Sequence, residues 1–134
     1  MNWYGASDMA QTADLPDSLR SSAPHIHGAT GWDGEMTDWG GHLEPIDGRS
    51  KNSGRLLWKG EDGLPEAGLW ICTQGSWRLT LPRDEMCHFL KGRAVYKADD
   101  GEVIEIGPGT VVHFREDWTG TVEVFETLRS VYML

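Results

Sequence analysis

"RDEMCHFLKGRAVYKADDGEVIEIGPG", residues 83–109, is the stretch that decides the fold. "KADDGEVIEI" within it predicts a β-hairpin, with Asp-Asp-Gly supplying a tight turn and a glycine able to take positive φ. Gly-Pro-Gly at 107–109 marks a second turn. The same style extends outward in "GRLLWKG", "EAGLWICTQGSWRLTL", "TVVHF" and "GTVEVFETLRSVYML". These short apolar or alternating runs are separated every 6–12 residues by Gly, Pro or Asp-Gly. That spacing predicts an all-β sandwich or barrel rather than alternating β/α units.

The text changes before residue 49. Residues 1–48 are rich in Gly, Ser, Asp, Thr and Pro, with isolated tryptophans at Trp3, Trp32 and Trp39. They hold neither a helical nor a strand period for long. A short helix is expected in "DLPDSLRSS" (14–22), with Asp14 as N-cap and Pro16 in the first turn. The domain reading is therefore an irregular acidic leader, 1–48, partly docked through its tryptophans, and a β-barrel, 49–134. Eight acids against one base, Arg20, fall in the leader, so most of the net charge of −9 belongs there. A chain so acidic is a poor nucleic-acid partner, because a polyanion would be repelled. No apolar run approaches the ~18 residues of a membrane span, and the first residues do not read as a secretion signal. A cytoplasmic home follows by default. Cys72 and Cys87 lack CxxC spacing and are expected to stay reduced.

In order along the chain come Trp70, Cys72, Thr73, Gly75, then Asp84, Glu85, Cys87, Leu90, Gly92, then Asp100, Gly101, Glu102. Gly107, Pro108, Gly109, Gly120, Thr121 and Tyr132 complete the series. In this order and spacing they resemble the small single-domain cupins, a double-stranded β-helix (jelly-roll) superfamily. The likeness is to the subgroup related to ureidoglycine aminohydrolase and the ethanolamine-utilisation cupin, and it covers about residues 54–134. It implies a jelly-roll barrel; it does not imply one chemistry, because a fold of this kind hosts many.

Metal-dependent cupins carry His-x-His, four residues, Glu, six residues, Gly. Counting back from Glu85 puts the two His positions at Arg78 and Thr80, and the later His position falls on Gly120. One ligand of four remains, and a lone carboxylate does not hold a transition metal. No metal or other cofactor is therefore expected. A rival reading recruits His25 and His27 from the leader, folded over the barrel mouth. His42, His88 and His113 read more simply as surface or hydrogen-bonded histidines.

If Glu85 faces inward as in the family, Cys87 and Phe89 share its side. Arg78 and Thr80, at the old His positions, are expected to face in as well, with Trp70 or Trp118 on the wall. An Arg inside a barrel must be paired, so an Arg78–Glu85 ion pair is expected at the centre. It would either fill the metal's place or receive a ligand. Two functions follow. One is a metal-independent cupin binding a small polar or carboxylate metabolite in the barrel. The other is a small-molecule enzyme (hydrolase, isomerase or lyase on a carboxylate or ureido compound) with Glu85 as acid–base and Arg78 as anchor. Homodimers are expected in either case, because open sheets leave edges to cover.

Overall fold

Alternation and turn chemistry produce nine strands in the computed structural model, which describes residues 16–134. The leader supplies β1 (Thr37–Gly40) and β2 (Glu44–Asp47). There follow β3 (Asn52–Lys59), β4 (Glu66–Cys72), β5 (Gly75–Thr80), β6 (Glu85–Ala98), β7 (Val103–Ile106), β8 (Val111–Phe114) and β9 (Thr119–Met133). All pairings are antiparallel.

The two long strands, β6 and β9, lie side by side from Met86 opposite Met133 to Ala98 opposite Gly120. Each belongs to two halves of one curled sheet. The first half runs β1-β3-β4-β9-β6-β8, the second β2-β5-β9-β6-β7. This is the jelly-roll architecture. One core joins the halves: Trp70, Cys72, Cys87, Phe89 and Phe114 from the first meet Trp77, Leu79, Tyr96 and Val122 from the second. Tyr96 stacks on Phe114 with ring centroids 5.1 Å apart, and Phe89 meets Tyr96 edge-on at 6.0 Å.

The crossing from one half to the other is made where the β6–β9 register shifts, between Phe89 and Ala94. Gly92 sits in that bend at φ +92°, and a Cβ there would run into the carbonyl oxygen of Thr127. Only glycine meets both demands. The expected hairpin is present: Gly101 has φ +102° and Ala98 N–H donates to Glu102 O at 2.8 Å.

Docking of the leader follows from side chains on β1, β3 and β9. Trp39 on β1 is 8% exposed and belongs to the core, its ring filling the space left by Gly54. Burial on this scale is worth on the order of 3 kcal/mol. Arg55 donates to Glu35 O at 3.0 and 2.6 Å, and Arg129 to the Ala29 and Trp32 carbonyls at 3.2 and 2.9 Å. The expected helix is a single turn, Asp17–Arg20, with Pro16 at the N-cap position and no side-chain cap. Asp14 and Trp3 lie outside the described residues. The irregular reading of the leader thus needs correction at 37–47, where two short strands pair with the barrel's edges. Among the described residues no helix is long and apolar enough to cross a membrane.

Gly92→Ala is expected to destabilise the chain by on the order of 3 kcal/mol, from backbone strain and a backbone clash at the bend. Urea unfolding should show a lower midpoint at unchanged slope.

Candidate functional site in the barrel interior

β6 turns Glu85, Cys87 and Phe89 to the inside, as strand alternation requires. Glu85 is 1% exposed, and its Oε2 accepts from the Cys87 thiol at 3.4 Å. Its Oε1 is buried with no hydrogen-bond partner. The next strands add to the same interior. Tyr132, opposite Cys87 on β9, donates to Glu66 Oε2 at 2.7 Å, and Trp70 on β4 donates to Asn52 Oδ1 at 2.8 Å. Trp118 packs on Phe114 at 5.4 Å and Tyr96 at 6.0 Å. The indole nitrogens of Trp118 and Trp77 are buried and, like Glu85 Oε1, have no partner.

Arg78 and Thr80 are not part of this interior, which corrects the expected Arg78–Glu85 pair. On β5 the inward positions are Trp77 and Leu79, both 1% exposed. Arg78 lies on the outer face and forms a bidentate pair with Asp99 at 2.7 and 2.8 Å. Thr80 bonds the Thr119 hydroxyl at 2.9 Å, also outside. The signal was present in "WRLTL", 77–81, where apolar and polar residues alternate with Trp77, Leu79 and Leu81 in one phase. Of the six residues expected to line the interior, Glu85, Cys87, Trp70 and Trp118 do so.

A metal of the cupin kind does not fit this donor set. The inward positions nearest Glu85 on β5 are apolar, and any side chain at Gly120 would meet the Lys97 carbonyl oxygen. Among the described residues no three His, Cys, Asp or Glu side chains converge as metal ligands. The leader histidines do not repair this: His25 and His27 are exposed and stack edge-on at 5.3 Å. His113 pairs with Asp84 at 3.0 Å on the surface, and His88 alternates to the outer face of β6.

His42 was missed as an interior neighbour. It stacks on Trp77 with ring centroids 3.6 Å apart. Its Nε2 lies 2.9 Å from Ser50 Oγ, which in turn lies 3.2 Å from Cys72 Sγ. No local pattern marks His42, because it sits in a glycine-flanked loop and its partners are brought in from elsewhere in the chain.

Electrostatically the interior favours neutral groups. Burial pushes the Glu85 carboxyl up, with a smaller contribution from the charge of Glu66. Burial also drives the Cys87 thiol well up and the Cys72 thiol to about 12, and lowers His42 to about 4. Among the described residues no interior cation is seen to offset Glu85, since Arg78 is outside and Arg55 serves the leader. Arg55, also buried, has its own charge disfavoured by burial.

A carboxyl with a raised folded pKa binds its proton more tightly in the folded state. Its stabilisation is complete below the unfolded value and is lost as pH rises through the folded value. Glu85→Gln is therefore expected to flatten a decline of up to about 1.4 kcal/mol per pH unit that begins near the ordinary carboxyl range. Urea titrations of both proteins across acid to neutral pH measure this. Parallel curves for the two would show that Glu85 is solvated.

Comparison with known proteins agrees with this geometry. The profile of the EutQ-like cupin domain matches residues 59–132, more than half of the chain. A solved protein from Salmonella typhimurium LT2, described as ethanolamine utilization protein Q, is similar at 20% identity with a TM-score of 0.54, covering 62% of this chain and 68% of that one. The EutQ protein of Clostridium difficile is similar at 16% identity and 0.56, with coverage of 67% and 74%. Ectoine synthase from P. lautus is similar at 18% identity and 0.56, covering 67% of each chain. Likeness at these identities speaks for the fold alone. Comparison with curated protein sequences finds no match. With its curled antiparallel sheet, its bend at Gly92 and this match along most of the barrel, the chain belongs to the EutQ-like cupin domain family.

Proposed function

We propose that the chain is a metal-independent cupin that binds a small polar molecule in its barrel interior, at Glu85. One observation carries this reading: Glu85 Oε1, Trp77 Nε1 and Trp118 Nε1 are buried on one interior and have no partner. Buried polar groups in native folds are almost always hydrogen-bonded, and each exception calls for a cause. An interior that presents indole donors and a protonated carboxyl suits a neutral molecule with both acceptor and donor atoms, such as an amide or a polyol. A carboxylate ligand loses its support, because recognising one relied on Arg78 facing in. An enzymatic reading keeps one specific support. A carboxyl held protonated by burial is the form that acts as a general acid. Its anchor would have to be a residue other than Arg78. In either case the setting is cytoplasmic, where Cys72 and Cys87, both free, stay reduced.

To test this, purified chain is denatured and any released small molecules are identified by mass spectrometry. In parallel, a panel of small amides, polyols and amines is screened by thermal shift. A hit present at 100 times its Kd should stabilise wild type by about 2.7 kcal/mol. Glu85→Gln and Trp118→Phe should each lose most of that shift. A chain that releases nothing and responds to nothing would overturn the reading.

We also propose a homodimer. Met86 (37% exposed) lies directly opposite Met133 (52%) on the outer face of the first half-sheet, with Val111 (61%) on the next pair of strands. A second copy laid on this face would cover all three. Light scattering should give twice the chain mass, and Met86→Lys should shift it to the single-chain mass. A wild-type monomer at micromolar concentration would sink the proposal.

A further inference from the structure

Glu85 is 1% exposed, so a molecule bound at it needs a way in. Residues 41–49 cross the open side of the curled sheet, from β1 at one edge to β2 at the other. Residues 43–49 are all exposed, and Leu43 projects into solvent. β2 is held by three register pairs with β5, broken by a shift between Pro45 and Asp47. Both ends are glycines in the left-handed region, Gly40 at φ +81° and Gly48 at φ +76°. These are the features of a segment that opens locally at low cost: little buried apolar surface and an exposed edge ladder.

One side chain of this segment reaches inward. His42 lies flat on Trp77 and its Nε2 contacts Ser50 Oγ at 2.9 Å and Cys72 Sγ at 3.7 Å. Its Nδ1 lies 3.5 Å from Asn52 Nδ2, which also donates to the Gly40 and Gly41 carbonyls at 3.3 Å. Trp77 and Cys72 are core residues at 1% and 0% exposure. Lifting His42 would therefore uncover the wall of the barrel without disturbing the β6–β9 frame.

We propose that residues 41–49 are a strap that swings on its glycine ends, with His42 as the latch, and that its opening is the entrance to the interior. The role as an entrance rests on the ligand reading above; the opening itself does not. Cys72 lies under the strap, whereas Cys87 lies deep between β8 and β9. The two thiols therefore report different events. Burial holds both protonated and unreactive until they are exposed.

The experiment treats the full native chain with iodoacetamide and follows carbamidomethylation of each cysteine by peptide mass spectrometry. Cys72 is expected to react at least about ten times faster than Cys87, corresponding to an opening about 1.4 kcal/mol easier than the one that exposes Cys87. His42→Ala should widen that ratio. Because both thiols are read in the same molecules, a general loss of stability in the variant accelerates both and does not mimic the effect. Equal rates that follow global unfolding would overturn the strap, and a ratio unaffected by His42→Ala would remove His42 as its latch. The readout uses no ligand. A strap that opens over an interior taking up nothing defeats the ligand reading alone, and a bound molecule with equal thiol rates defeats the strap alone.

Discussion

The bend shared by β6 and β9 is the constraint from which the rest of this structure follows. Two strands of fourteen and fifteen residues would otherwise build a flat ladder with one face in water. Shifting their register between Phe89 and Ala94, around Gly92, folds that ladder over itself and converts its two ends into facing walls. Every other strand then has a place. β4 and β8 extend one wall, β5 and β7 the other, and the turns at 99–102 and 107–110 return the chain to the correct edge.

The interior so enclosed has an unusual electrical character. It is walled by Trp70, Trp77, Phe89, Tyr96 and Phe114, and its acids outnumber its bases. Glu66 is tied to Tyr132 and contacts Lys59 at 3.6 Å, but Glu85 faces only a thiol. A lone buried carboxylate would cost several kcal/mol, so the group keeps its proton. Burial, not Glu85, is also the main reason that the Cys72 and Cys87 thiols are pushed up. On β5 the inward positions are filled by Trp77 and Leu79, which offer no ligand to an ion.

The described part of the leader packs on the barrel through Trp39 and its backbone. Trp39 enters the core where Gly54 leaves room, and Arg55 on β3 and Arg129 on β9 hold the leader's backbone. Its middle section is different in kind. Residues 43–49 are exposed, and His42 beside them turns its ring inward onto Trp77.

Sequence by itself determined the all-β class, the hairpin at Asp-Asp-Gly, the family and the inward facing of Glu85, Cys87 and Phe89. The class and the hairpin rest on turn residues with obligatory backbone angles; the family and the inward facing of Glu85 rest on the motif series and its resemblance, and alternation within one strand then adds Cys87 and Phe89. The outward facing of Arg78 and Thr80 was also written locally, in the alternation of Trp77, Leu79 and Leu81, whereas counting back from Glu85 runs through the connection at 81–84, where strand alternation does not hold. Tertiary structure alone decided the rest. β2 has four exposed residues and no apolar period, so it is a strand only because β5 offers it an unpaired edge. His42 is part of the barrel wall only because Trp77, Ser50 and Cys72 converge on it from three separate segments. Contacts between residues distant in sequence leave no periodic mark on the chain, and it is these contacts that bring the ring of a glycine-flanked loop onto Trp77.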